Sequence, residues 1–529
     1  MTSPQFEPLY GPTYPSTLEE QLQALETDEL LRRVASSRER LAVDPYRPLY
    51  HFSPPENVMN DPNGLCQWQG RYHLFYQFRP EGQDRVHWGH TVSEDLIHWR
   101  DLPIALYPDT ERDCFSGQTL VEQERVVAMY HGTLAGNAIA TASDPLLLNW
   151  QKHPNNPVIP GDVQNLGGAN ILPVEAKGAQ YRVFDPCIWK EEDGYYAVSG
   201  TFKDGVRGID CVGVDHLFRS SDLAAWEYLG PLMEESFFAE PGEDAAVPSF
   251  WPIGNGKHML LLFSHKRSGR YYIGTYDSAT HRFAPESHGR MNYGPWLGGS
   301  LHAPSATIDD AGRFLAIFNI KEGRKPQGWS DIMTLPRHYS LAADNSLLME
   351  TAGDIASLRF NHRQVGAMAI PANGEAVLEG IRGQAMEIDA VIDPCGAREV
   401  GLCVFRSQQG EEQTRVSLFC QDHRHFNTSS LQIDVSSASL SSEVFARTPE
   451  IGPLKLRSEE PLHLRLFLDR SVLEVYANGR QCLTVRVYPE REDSNGVSIF
   501  ARGSEAKLVS LDAWQMRSIW PELGHREGK

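Results

Sequence analysis

The most constraining feature of the chain is a unit that occurs five times, a turn followed at once by an apolar strand. It reads Gly70-RYHLFY, Glu124-RVVAMY, Gly194-YYAVSG, Gly256-KHMLLLFS and Gly312-RFLAIFN, with starts 54, 70, 62 and 56 residues apart. Each copy is rich in β-branched and aromatic residues and is bounded by Gly, Asp, Asn or Pro, the marks of strands and tight turns. Five such units predict a five-bladed β-propeller, each blade a small antiparallel sheet around a central channel.

The residues ahead of each turn keep a register. Pro62, Pro186, Pro248 and Pro304 each lie eight residues before their turn glycine, and Ser116 lies eight before Glu124. Asp61 and Asp185 each lie nine before. Superposable blades bring equivalent positions to one axis, so these two carboxylates are expected in one funnel. An Asp-Pro pair that merely opens a turn is the competing reading of each taken alone. In the fourth unit Val247 fills that register, and Glu240, Glu243 and Asp244 lie just upstream on a longer loop. Trp88, Phe115, Trp251 and Trp329, with polar Asn60, Gln77 and His302, are the expected lining. Flat apolar faces beside amide and acid groups suit a sugar ring. Two carboxyl groups flanking a glycosidic bond are what its hydrolysis needs, one ionised and one protonated. Proximity separates their pKa values, because the second proton leaves against a neighbouring negative charge.

The rest of the chain frames this unit. Residues 16–42 read as a helix, with Ser16 and Thr17 ahead of Glu19 and Glu20 as a capping box and leucines at helical spacing. The expected division is a helical extension over 1–47, a propeller over 48–345, a Gly/Ala/Asn-containing linker over 346–375 and a second all-β domain over 376–522. In that domain Leu464, Leu466 and Leu468 alternate with polar residues, and Asn478-Gly479 is a type I′ hairpin signal, so a β-sandwich is expected.

Composition excludes several partners. Of 529 residues, 49 are Lys or Arg and 69 Asp or Glu, and the charge of -20 repels phosphate backbones. A neutral sugar meets no such barrier. The eight cysteines show no C-x-x-C pair, and His87 and His90 should point to opposite faces of a strand, so neither metal nor other cofactor is expected. No apolar run reaches the length of a membrane span, and MTSPQFEPLYGPTYPS has no basic-then-apolar leader pattern. A cytoplasmic location is therefore the expectation, with self-association through the helix or the sandwich left open.

These residues also carry a resemblance. MNDPNG (59–64), FYQF, WGH, DLIHW (95–99), CFSG (114–117), GWSDIMTLPR (328–337), LDRSVLEVYANG and LDAWQM resemble glycoside hydrolase family 32, the invertase, levanase and inulinase group, over nearly all of 48–522. The resemblance implies a retaining β-fructofuranosidase. It implies that Asp61 is the nucleophile, that Asp185 stabilises an oxocarbenium-like transition state, and that a fourth-blade glutamate is the acid and then the base. It implies that Asn60, Gln77, Trp88 and Ser116 line the fructosyl pocket; Phe115, Phe184 and Trp329 are further expected pocket residues.

Three positions depart from the pattern. Phe184 stands where the family carries arginine before Asp-Pro, and the loss of a bidentate donor should change substrate preference. Arg182, two residues back, is a candidate substitute. The family's Glu-Cys-Pro becomes Glu243-Asp-Ala-Ala-Val-Pro248, which makes Glu243 the expected acid/base, with Glu240 in reserve. Val58 replaces the tryptophan that often precedes MNDPNG. Fructosyl transfer on the same scaffold, a sugar-binding protein without catalysis, and a five-bladed arabinosidase remain open alternatives.

Overall fold

The computed structural model describes residues 6–161, 181–203, 206–233, 238–294, 298–420, 422–423, 426–427 and 429–520. Five antiparallel sheets form the propeller. Their innermost strands are Asn57–Trp68, Cys114–Val121, Pro186–Glu191, Ala246–Gly254 and Leu301–Ile308. Each is followed by its hairpin partner, Arg71–Arg79, Val126–Gly132, Gly194–Phe202, Lys257–Ser264 or Phe314–Ile320, and these partners are the five recurring units. Trp329–Ser330, after the inner strands of blade five, pairs in parallel with Asn57–Val58 of blade one and ties the ring shut.

Four of the five inner strands share an irregularity at one level of the blade. Their pairing shifts across Asn60–Asp61, Phe115–Ser116, Val247–Pro248 and His302–Ala303. Such a bulge bends the strand and re-aims side chains that strict alternation would send to opposite faces. At this level of each blade the chain departs from regular pleating, and here the candidate site residues lie.

The predicted helix is two. Leu18–Leu25 is capped by Thr17, whose hydroxyl accepts from Glu20 N–H. Glu29–Leu41 is capped by Asp28, which accepts from Leu31 N–H at 2.9 Å. A carboxylate that competes for backbone N–H groups favours a cap over a helix interior, so Asp28 divides the segment. The arm lies on the propeller. Leu18 and Leu25 pack against Val92, Leu102, Leu146 and Leu148, and Arg38 makes a bidentate pair with Asp101.

The connection between domains is shorter than composition suggests. Blade five runs through Leu347–Thr351, and the second domain starts with Arg359–Val365. Asn345 and Asn373 occupy left-handed backbone positions in turns and Asn361 does so at a bulge of the strand Arg359–Val365, which is what enriched the segment in linker-like residues. Two sheets of seven and six strands then form the sandwich, with Leu464, Leu466 and Leu468 fully buried between them. Asn478 and Gly479 both take positive φ at the predicted hairpin.

The domains are joined through buried charge. Asp469 accepts from the N–H groups of Leu49, Tyr50 and His51 at 2.7, 2.8 and 2.9 Å. The His51 ring bridges Asp469 and Glu474, and Glu474 takes Arg337 at 2.6 Å.

Candidate active site

Asp61 sits in a bulge and is almost buried. The Ser116 hydroxyl of blade two donates to its Oδ2 at 2.6 Å, and Gln77 Nε2 lies 3.3 Å from the same oxygen. His302 Nδ1 of blade five lies 3.1 Å from Oδ1. Burial alone would push the Asp61 carboxyl up, but His302, Ser116 and the Lys321 ammonium outweigh it and hold it below its ordinary value. Asn60 donates to Gln77 Oε1 at 3.1 Å and accepts from Lys321 at 2.8 Å. Blades one, two and five thus fix an ionised carboxylate by contacts that no single stretch of sequence contains.

Asp185 has the opposite character. Burial and the charge of Asp61 push its carboxyl up to about 7, against the pull of Arg207, the Val247 N–H and His265. The Val247 amide donates to Asp185 Oδ2 at 3.2 Å, and Val247 holds φ at +44°, a costly setting for a β-branched residue. Blade four therefore meets Asp185 with a strained backbone amide. Two carboxyl groups in one funnel, one held low and one held high, take different charge states at the same pH.

The other expected residues divide. Phe115 and Phe184 are half-buried and flank the His131 ring, with centroids 6.5 and 5.4 Å away, so they form an aromatic wall. Trp88 is fully buried between Phe75 and Tyr130, and its Nε1 donates to the Phe115 carbonyl at 2.8 Å. It supports the wall from behind. Trp329 is 1 % exposed, donates to Asp44 and lies under Arg47 and Arg486, so it belongs to the ring closure and not to the pocket lining. Trp251 donates to the Ala306 carbonyl at the seam of blades four and five. An indole N–H needs a partner once buried, and each of these found a backbone or carboxylate acceptor.

The fourth-blade acids are arranged differently from expectation. Glu243 is 3 % exposed, forms an ion pair with buried Arg270 and accepts from the Glu240 amide. Arg270 in turn donates to the Phe238 carbonyl and contacts His288, all within blade four and the loop leading into it. Glu243 Oε2 is thus spent on contacts inside blade four rather than on the Asp61–Asp185 pair. Glu240 is held by Arg267 at 2.9 Å and Arg290 at 2.7 Å. Asp244, the third acid of this loop, meets the two side chains that pull on the Asp185 carboxyl. Its Oδ2 is 2.7 Å from His265 Nδ1 and 3.0 Å from Arg207 Nε. Burial would raise its carboxyl, but His265 and Arg207 hold it low. Arg207 also lies over the Phe184 ring at 5.0 Å. The guanidinium beside Phe184 therefore comes from residue 207, while Arg182 stacks on Phe202 at 4.8 Å.

Sequence reasoning did not single out His131, Arg207, His265 or Lys321. His265 had a signal, since it follows the second strand of blade four much as the Gln77–Arg79 segment ends that of blade one. Arg207 and Lys321 had none, because long cations reach sites from loops whose course only the fold defines.

The comparisons with known proteins bear on this geometry. The family model described as glycosyl hydrolases family 32 N-terminal domain matches residues 51–351, and that described as glycosyl hydrolases family 32 C terminal matches 354–515. The chain belongs to glycosyl hydrolase family 32. A beta-fructofuranosidase, insoluble isoenzyme 7, of Oryza sativa subsp. japonica is 29% identical, over 89% of each chain. A levanase of Bacillus subtilis is 27% identical, over 90% of this chain and 71% of its own. Among solved structures, fructan 1-exohydrolase IIa from Cichorium intybus superposes with a TM-score of 0.77 at 25% identity, over 90% of this chain and 98% of that one. The family-32 member is thus a glycosidase with the expected propeller and sandwich.

Proposed function

We propose that the chain is a retaining β-fructofuranosidase that removes fructosyl units from sucrose, a fructo-oligosaccharide or a fructan through a covalent intermediate. The observation that carries this is the Asp61–Asp185 pair, with Asp61 held ionised by Ser116, His302 and Lys321 and Asp185 carrying the raised pKa. Asp61 attacks the anomeric carbon and forms a fructosyl ester. Asp185 binds ring hydroxyls and, when ionised, supports the positive charge of the transition state. Phe115 and Phe184 offer flat faces to the ring, and Asn60 and Gln77 offer amides to its hydroxyls. The family relatives named beta-fructofuranosidase, levanase and fructan exohydrolase support the substrate class.

The reading is tested by incubating the protein with sucrose, inulin and levan and following products by chromatography. Release of fructose, abolished in Asp61→Asn, is the expected result. Sugar retention without turnover would favour a binding protein, and longer fructosides would favour transfer. A cytoplasmic site of action is supported by the eight unpaired thiols, six of them buried. Self-association would use the sandwich sooner than the N-terminal arm, whose Leu18 and Leu25 are occupied by the propeller.

A further inference from the structure

Hydrolysis of an unactivated fructoside needs a group that protonates the leaving oxygen and later takes a proton from water. Blade four is where the family resemblance looks for it, and the inner strand there offers none. Ala246 and Val247 pack with Phe263 and Ala303 in a small apolar cluster. Glu243 is buried within the blade, with Oε2 paired to Arg270.

The same blade holds another proton-transfer group at the funnel. His265 directly follows the strand Lys257–Ser264, and its side chain keeps 28% of its surface exposed. Asp244 lies behind it with no exposed side-chain surface and accepts both the ring Nδ1–H, at 2.7 Å, and the backbone N–H of His265, at 2.9 Å. A carboxylate on Nδ1 fixes the tautomer and orientation of an imidazole. With Nδ1 committed, proton exchange with a ligand falls to Nε2. The ring is linked to the pair through its neighbours. Its centroid is 6.3 Å from that of His302, which contacts Asp61 directly, and its charge acts on Asp185.

We propose that His265, positioned by Asp244, is the acid/base residue of this enzyme, in place of a fourth-blade glutamate; this rests on the fructosidase reading above. In the first step an Asp61 oxygen bonds to the anomeric carbon while the bond from that carbon to the leaving oxygen breaks. The Nε2 proton of imidazolium His265 passes to that oxygen. In the second step neutral Nε2 takes a proton from water. The water oxygen bonds to the anomeric carbon, the ester bond to Asp61 breaks, and the imidazolium is restored. Among the described residues, the groups around the ring include Asp244, Arg207 through Asp244, His302 and the Phe263 ring.

The test compares sucrose with an aryl β-fructofuranoside, whose leaving group needs little protonation. Wild-type turnover of either is measured first. If neither is cleaved, the fructosidase reading fails, and this inference with it. Given turnover, His265→Gln is expected to lower kcat/KM on sucrose by ~10²–10³-fold and on the aryl substrate by less than about 10-fold. Azide, which needs no base, should restore kcat on the aryl substrate and yield fructosyl azide. Asp244→Asn should show the same leaving-group dependence more weakly, and the double variant should be no worse than His265→Gln alone, because residues acting as a unit are not additive. Thermal melting confirms folding of each variant. The proposal is overturned if His265→Gln slows both substrates equally without azide rescue, or if Glu243→Gln or Asp185→Asn carries the leaving-group signature.

Discussion

Asp185 should cost the fold stability at neutral pH, and removing its charge should return it. Its carboxyl is moved from 3.8 to about 7 by burial and by Asp61. The sign follows from proton uptake. Between these values the folded state binds a proton that the unfolded chain has lost, so stability falls as pH rises through that window and the full cost is present above about 7. At full strength the cost is about 4 kcal/mol. Asp185 keeps some contact with solvent, so about half of that, ~2 kcal/mol, is expected. Asp185→Asn keeps the shape and removes the charge. It should melt about 2–3 °C above wild type at pH 8, with little difference at pH 4.5, while losing most activity. Scanning calorimetry of both proteins from pH 4.5 to 8 measures this. A variant that gains nothing at pH 8, or gains equally at both ends, would refute the claim that the site holds its second carboxyl at an electrostatic cost.

Other expectations follow from the same contacts. Asp61→Asn should leave the melting temperature near wild type and lower turnover by ~10⁴-fold or more, as loss of a nucleophile does; near-normal turnover would remove Asp61 from the mechanism. His51 titrates at about 8, because Asp469 and Glu474 outweigh the downward pull of burial. Its folded pKa is raised, so its contribution, about 2 kcal/mol, is fully present below pH 6.5 and lost as pH rises through about 8. His51→Gln should therefore flatten the melting profile over that range, and an unchanged slope would contradict the assignment. Gly117 lies beside Ser116, and a Cβ there would stand 2.1 Å from the Met129 carbonyl. Gly117→Ala should destabilise blade two by about 3 kcal/mol and lower activity by pulling Ser116 off Asp61, read by melting and kcat together. Asp28→Ala should cost about 1 kcal/mol through loss of the cap on the second helix, with kcat unchanged.

The legible parts of this protein were those written in short range or in repetition. Leu464, Leu466 and Leu468 are buried because strand alternation is local, and Asn478-Gly479 turns because only such residues take two positive φ values cheaply. The five recurring strands gave the propeller because equivalent units stack in one way. Asp61 and Asp185 were brought together for the same reason. Trp88 and Trp329 were less legible, since an aromatic residue suits a wall, a sugar face or a seam alike, and its neighbours decide which. The break at Asp28 was missed because helical spacing continues on both sides of it.

The sequence by itself determined the blade count, the register that carries two carboxylates to one axis and the sandwich that follows, since each depends on patterns of period two or on symmetry. Tertiary structure decided the ionic partners. Glu243 and Asp244 are neighbours in sequence, yet one meets Arg270 and the other meets His265 and Arg207. Adjacent side chains on an irregular loop leave in directions that no periodicity sets, and charged groups settle wherever the folded chain brings a counter-charge out of water.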